Sequence, residues 1–397
     1  MSVKEELNFH LFALISYYTN KVFGIFPFSY NYSARSFQKS IFSVLYSLSV
    51  VIFMSYFYPM YCVSFYFQML NRNFRGTLET YVGIIQSTFE FVVLILTNCV
   101  YLYHKNDIVD YLNLKISYGE KIVKLSQKCD GKINFLTMIL ISILTFIVKL
   151  IMDTLLIIFQ PIMQETDKKM LFAIYLIPNT VTTLIGCTFC LEVISLQFFA
   201  YQINSSLLKI AHCISGLSNI NSNAKKMIFC CHLSDKVDEL LILHSELNDI
   251  LLKFNNHQNP VLILYHFNKF VEITIPLFFE YSVLTGSSET TPTLDMYASA
   301  TLINLIGFFE LAITAVFCDK LIKEMERTGR ILHEFPVQNA DDRLKESINK
   351  FSLQILQEKR PIIVCGMYRV DNSLLYIMTS SITSYLILLI QFHIEGI

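Results

Sequence analysis

Two groups of residues have types and spacings that could do chemistry, and both lie in strongly apolar surroundings. The first is ionisable. Lys149 and Asp153 stand four apart in one apolar run, Lys269 and Glu272 three apart in another, and Glu79, Glu90 and Glu280 are isolated within similar runs. A charge inside a membrane is costly, so each must be paired or must face water or a ligand. Four-residue spacing puts Lys149 and Asp153 on one helix face. An internal ion pair that neutralises both is expected, and the alternative is Asp153 as a ligand contact in a water-filled pocket. Lys269 and Glu272 are expected only to pair.

The second group is the C-terminal stripe. Thr379, Thr383, Ile387 and Gln391 recur every four residues, as do Ser380, Ser384, Leu388 and Phe392 beside them. Hydroxyls give way to bulky apolar groups and then to an amide. That order suits a pore, wet at one end and closed by a hydrophobic constriction at the other. It equally suits a packing face whose hydroxyls bond back to their own helix. Glu395 lies one turn further on. If several chains shared one axis, it would form a ring of carboxylates that concentrates cations.

Enzymatic constellations do not occur. There is no His-Glu-x-x-His, no glycine-rich phosphate loop and no Gly-x-Ser-x-Gly. His244 and His257 lack a serine-and-carboxylate setting and read as surface or packing histidines. Cys187-x-x-Cys190 and Cys230-Cys231-His232 lack further ligands, so both read as buried thiols. Neither a catalytic site, a metal site nor a cofactor is expected. A net charge of −1 offers nothing to nucleic acid.

These residues must be held by membrane helices. The chain of 397 residues is 53% hydrophobic and only 16% charged, with a mean hydropathy of +0.48. That is the composition of a polytopic membrane protein with lipid as a partner. About 20 apolar residues cross a bilayer as helix. Seven stretches qualify: Ile41–Phe67, Leu78–Tyr103, Ile133–Phe159, Met170–Ala200, Val261–Leu284, Met296–Cys318 and Ser373–Phe392. Pro59, Pro178 and Pro276 fall within spans one, four and five and are expected to kink them. The first span is expected to serve as an uncleaved anchor.

Loop charge orients the bundle. Twenty-four of the 31 Lys and Arg lie on the side holding the N-terminal tail and the loops after spans two, four and six, against four on the other side. The positive-inside rule makes the N-terminus cytoplasmic and the C-terminus extracellular. The sequons at Asn31 and Asn204 then fall inside and are inert. Leu233–Asn255, Asp319–His333 and Asp341–Glu358 show apolar residues at three- and four-residue spacing and are expected to be cytoplasmic helices. The fold class is therefore all-α, a seven-helix polytopic membrane protein with cytoplasmic extensions forming an anchor layer. Its organisation is a cytoplasmic segment (1–40), spans one to four (41–232), a cytoplasmic helix (233–260), spans five and six (261–318), anchor helices (319–372), a last span (373–392) and an outer tail (393–397).

Ser384-Tyr385-Leu386-Ile387-Leu388-Leu389-Ile390-Gln391-Phe392 resembles the hallmark ending of the insect gustatory receptors, with Ser in place of the usual Thr. Gly366-Met367-Tyr368-Arg369-Val370-Asp371 resembles their upstream Gly-x-aromatic-x-aliphatic-Asp element. Glu310-Leu311-Ala312 with Thr314, Leu247-Asn248 and Phe23-Gly24-Ile25-Phe26-Pro27 are weaker echoes. The resemblance implies a multi-pass plasma-membrane protein of chemosensory neurons, a homo- or hetero-tetrameric, non-selective cation channel opened by a small tastant. It also implies a gate at Gln391 and Phe392, pore lining by Ile387, Leu388 and Ser384, and Tyr385 behind the gate. A ligand pocket in the outer half would draw on Tyr81, Gln86, Asp153, Tyr175, Asn179, Thr182, Tyr297 and Asn304. The chain has no Trp to stack on a sugar, which favours a less polar, bitter plant compound. An odorant-type receptor of the same superfamily is the near alternative. A G-protein-coupled receptor is the distant one, and it would need its C-terminus inside together with Asp-Arg-Tyr and Asn-Pro-x-x-Tyr elements that this chain lacks.

Overall fold

The computed structural model describes residues 17–71, 78–126, 135–158, 176–219, 222–285, 294–358 and 362–395. Nine long helices carry the architecture of these residues: α1 (Ile41–Asn71), α2 (Leu78–Tyr103), α3 (Lys105–Ser126), α4 (Phe135–Ile158), α5 (Ile177–Ser215), α6 (Asn223–Leu284), α7 (Leu294–His333), α8 (Asp342–Gln357) and α9 (Ser373–Ile394). Six helices among the described residues are long and apolar enough to cross a bilayer. The expected sixth span forms the first half of α7.

Burial sorts the spans. The apolar window of α5 is 78% buried, against 17%, 22% and 17% for α1, α4 and α9. A helix apolar on every side belongs at the centre, and α5 packs against α2, α3, α4, α6 and α7. Leu48, Ile52, Phe53, Leu144 and Ile151 on α1 and α4 are exposed, as a lipid-facing surface requires. Pro59 and Pro276 lie inside α1 and α6 as expected. Pro178 lies in the first described turn of α5, and the part of the expected span before Leu176 lies outside the described residues.

Helices α5, α6 and α7 run far beyond a bilayer. The 62 residues of α6 extend about 90 Å, of which a span needs about 30 Å. The expected helix 233–260 and the span from Val261 are thus one helix, continuous through Pro260. Their projecting halves form a layer with α3 and α8. Leu344, Ile348 and Phe351 of α8 are buried in one core with Leu240, Leu247 and Phe254 of α6, Leu332 of α7 and Phe335 just beyond it. Some buried polar groups in the layer bond across helices: Ser234 to Ser347 at 2.8 Å, and Asn204 to the Glu324 carbonyl at 2.8 Å and to the Thr328 hydroxyl at 2.7 Å. Asn204 is fully buried, so its sequon is inaccessible in the folded protein.

Helix α3 was not anticipated, although Ile108, Tyr111, Tyr118 and Ile122 are buried at three-, four- and seven-residue spacing. The Tyr118 hydroxyl donates to the Leu243 carbonyl at 3.0 Å, and Lys115 pairs with Glu192 at 2.6 Å. The all-α expectation also omitted two short antiparallel hairpins. Strands β1 (Phe28–Asn31) and β2 (Ser36–Lys39) pair with each other, and Asn113 of α3 bonds both backbone groups of Phe37. Strands β3 (Ile363–Val364) and β4 (Tyr368–Arg369) form the second hairpin.

Candidate pore face and buried polar centre

The segment leading into α9 shows why each motif residue is of its type. Cys365 and Gly366 turn the chain between β3 and β4 with φ of 48° and 73°, the paired positive values of a tight hairpin turn, which glycine adopts without strain. Tyr368 reaches α6, its hydroxyl 2.8 Å from His266 Nδ1. Val370 is fully buried. Asp371 Oδ1 accepts from the backbone N–H and the hydroxyl of Ser373, at 2.8 and 2.5 Å, and so ties down the first turn of α9. Asn372 donates to Asp319 of α7 at 3.0 Å. Turn, anchor and cap together fix where α9 starts and how it is rotated.

That rotation leaves most of α9 uncovered. Leu374, Met378 and Ile382 are buried, and Leu386, Leu389 and Ile390 pack with Val82, Ile275 and Phe278. Ile387, Leu388 and Phe392 are exposed, as are Ser384 and Gln391. Tyr385 keeps an edge contact with Phe270 of α6, centroids 5.3 Å apart, although its side chain is largely open. The hydroxyls of Thr379, Thr383 and Ser384 bond back to carbonyls one turn earlier at 2.7–2.9 Å. Both four-residue stripes therefore face outward, with the hydroxyl protons of Thr379, Thr383 and Ser384 satisfied within the helix.

The ionisable residues assemble differently from the expected pair. Lys149 of α4 is salt-bridged across helices to Glu272 of α6 and, at 3.5 Å, to Glu310 of α7. Lys269 bridges the same two carboxylates, Glu272 at 2.9 Å and Glu310 closely. All four are buried. Two cations and two anions thus make a neutral network joining three helices. The expected Lys149–Asp153 pair is not formed, because two glutamates on neighbouring helices meet the lysine head-on. Asp153 is 2% exposed, and its Oδ1 has no hydrogen-bond partner among the described residues. Lys269 and Glu272 do pair, but as half of this larger network.

The remaining pocket candidates are only partly drawn together. Gln86 donates to Glu90 at 2.9 Å within α2. Asn304 donates to Glu280 at 3.0 Å, leaving its Oδ1 unpartnered. Asn179 is fully buried, and neither of its amide atoms has a partner among the described residues. Thr182 donates to the Asn179 carbonyl at 3.0 Å. The side chains of Tyr81 and Tyr297, and the whole of Tyr175, lie outside the described residues. Glu79 does too. Sequence reasoning did not foresee Glu310 in the charge network. Its signal was one carboxylate in an apolar span, and its partners are far away in sequence.

Among the described residues no group of three His, Cys, Asp or Glu could hold a metal ion. His244 is a packing group: its ring meets Phe351 edge-on at 5.5 Å, its Nδ1 lies 3.3 Å from Asn248 Nδ2, and burial lowers its pKa to about 4. Asn248 in turn donates to Glu358, linking α6 to the end of α8.

The sequence profile described as 7tm Chemosensory receptor matches residues 13–396. The chain belongs to that family. It is accordingly a multi-pass membrane receptor of the insect chemoreceptor superfamily and not an enzyme. Similar Drosophila melanogaster proteins include the gustatory receptor for bitter taste 66a, 31% identical over 41% of this chain and 32% of that protein. The gustatory receptor for bitter taste 93a is 24% identical over 43% of this chain and 40% of the relative. The matches thus span less than half the length of these relatives. The insect olfactory receptor OR5 from Machilis hrabei, in complex with eugenol, has the same fold: its TM-score is 0.66 at 13% identity, covering 97% of this chain and 98% of that one. The chemosensory receptor fold thus frames both the open face of α9 and the polar centre.

Proposed function

We propose that this chain is a gustatory receptor subunit, a ligand-gated, non-selective cation channel whose pore is lined by α9 from four subunits. The observation that carries the reading is the open face of α9. This helix ends the bundle with an apolar window only 17% buried, yet the exposed side carries hydroxyls and an amide as well as Ile387, Leu388 and Phe392. A purely lipid-facing surface gains nothing from those polar groups, whereas a shared water-filled axis accommodates both kinds. In this arrangement Gln391 and Phe392 form the gate, Ile387 and Leu388 the constriction below it, and Ser384 the wetter wall. Tyr385 braces the gate against Phe270. The distribution of Lys and Arg supports an N-terminus in the cytoplasm and a C-terminus outside.

The ligand is a small non-sugar tastant, held in the outer half among Gln86, Asp153, Asn179, Thr182 and Asn304; Tyr81, Tyr175 and Tyr297 remain candidates from the sequence alone. Unpartnered buried atoms on Asp153, Asn179 and Asn304 support this, because a polar group is buried at a cost unless something bonds it. The bitter-taste role named for the two Drosophila relatives supports the compound class. Patch recording of Gln391→Ala and Phe392→Ala tests the gate. Altered ion selectivity or resting open probability is expected, with assembly unchanged on a native gel. Wild-type currents in both variants would overturn the reading.

A further inference from the structure

A small cavity lies between α4, α5, α6 and α7, and none of the outer-half ligand candidates lines it. Its wall includes Ser142, Thr145, Thr183, Gly186, Tyr265 and Glu310. Along the helices its wall begins one residue from Thr182 and four from Asn179, and lies seven from Asp153 and six from Asn304, which is up to about 10 Å deeper in the bundle. The enclosed space is about 20 Å³, room for about one water or one hydroxyl.

Two buried oxygens in this wall are unspent. Glu310 receives both lysines on Oε2, while its Oε1 has no partner among the described residues. The Thr183 hydroxyl is likewise buried and unpartnered, unlike Ser142 and Thr145, which bond back to Met138 and Ile141. The residues lining the cavity thus include one carboxylate oxygen and one hydroxyl without a partner among the described residues. Gly186 shapes it: a Cβ there would lie 2.6 Å from the Tyr265 hydroxyl oxygen, so only glycine lets α5 and that ring close the floor.

The cavity is partly open, and the lining residues that are not fully buried are Thr145, Phe146 and Cys187. The mouth is therefore between α4 and α5. Around it on α4, Ile141, Leu144 and Val148 are exposed, an apolar surface that meets lipid. A molecule reaching the mouth must come through the hydrocarbon and still carry a donor at one end.

We propose that this cavity is a second, membrane-side binding site for the hydroxyl of a small aliphatic alcohol. The hydroxyl displaces one water, donates to Glu310 Oε1 and accepts from Thr183. The alkyl chain lies in the cleft between α4 and α5. Because the hydroxyl reproduces the water's hydrogen bonds, displacement costs little, and the chain adds apolar contact.

The test uses the full-length protein in nanodiscs, with 1-octanol and n-octane as probes, and reads the unfolding temperature against probe concentration. Octanol should raise it saturably, and octane should not. Thr183→Val keeps the side chain's shape and leaves the charge network intact, and should weaken the octanol response roughly tenfold, the worth of one hydrogen bond. Thr183→Ser should restore it, and Thr145→Leu, which fills the mouth without touching either oxygen, should abolish it. Equal responses to octanol and octane, or an unchanged response in Thr183→Val, would overturn the proposal. So would water alone in the cavity of the octanol-saturated protein. None of these readouts depends on the chain conducting ions.

Discussion

Removing one lysine from the buried charge network should be far more damaging than removing a lysine and a glutamate together. In the intact protein Lys149 and Lys269 balance Glu272 and Glu310 through four contacts, and all four side chains are at most 7% exposed. Lys269→Met leaves one cation for two carboxylates and takes away the 2.9 Å contact to Glu272 together with the close one to Glu310. At about 3 Å and an effective dielectric of about 20, each lost contact is worth roughly 5 kcal/mol before desolvation offsets it. Stranding one buried charge in this way costs about 3–5 kcal/mol net, a large share of the roughly 5–15 kcal/mol that holds a typical domain folded. Lys269→Met combined with Glu310→Gln keeps the tight Lys149–Glu272 bridge and restores neutrality. It should recover most of the loss, since a removed ion pair is often nearly neutral to stability. Unfolding by SDS in mixed micelles measures the wild type, Lys269→Met, Glu310→Gln and the double variant, and the cycle should show a coupling of at least about 2 kcal/mol. If the double variant is as unstable as Lys269→Met alone, charge balance is not what the network supplies.

Two further outcomes follow from the helical layer and the cap. Burial holds the pKa of His244 at about 4, below the ordinary value of about 6.5, so unfolding takes up a proton between those values. The stability contribution is complete above about pH 6.5 and is lost as pH falls, by roughly 2 kcal/mol at pH 5. His257, also lowered by burial, adds to the slope. Denaturation between pH 7 and 5 should show a shallower slope in His244→Gln, and an unchanged slope would refute the assignment. Asp371→Ala removes the acceptor of the Ser373 N–H and should cost about 1 kcal/mol. Hydrogen exchange should quicken in the first turn of α9 before the rest of the helix, and uniform quickening along α9 would argue against a capping role.

Spans were legible because lipid imposes one simple rule, that a helix crossing it be apolar over about 20 residues. Leu78–Tyr103 agrees with its helix at both ends, while Ile41, Leu284 and Ser373 each match one helix end. The amphipathic α8 was equally readable from Leu344, Ile348 and Phe351. By contrast, α3 escaped notice because its mixed sequence resembles a loop until Tyr118 meets Leu243 on α6 and Phe199 on α5. The hairpins were hidden for a similar reason. Strands of two to four residues are too short for alternation to show, and they depend on Asn113 and on Tyr368 contacting helices elsewhere.

By itself the sequence determined which segments are long and apolar enough to enter a membrane, how their charge is distributed and which residues form the C-terminal stripe, because each follows from local composition and spacing. Only the tertiary structure decided which partner each charge takes. Lys149 has Asp153 one turn away, yet it binds Glu272 and Glu310, 123 and 161 residues further along. Helical spacing brings two groups onto one face, but a side chain bonds to whatever the neighbouring helices place against that face. The same rule left Asp153 Oδ1, Glu310 Oε1 and Thr183 Oγ1 unpartnered among the described residues. Those three oxygens are the features of this receptor that no reading of one helix at a time could have found.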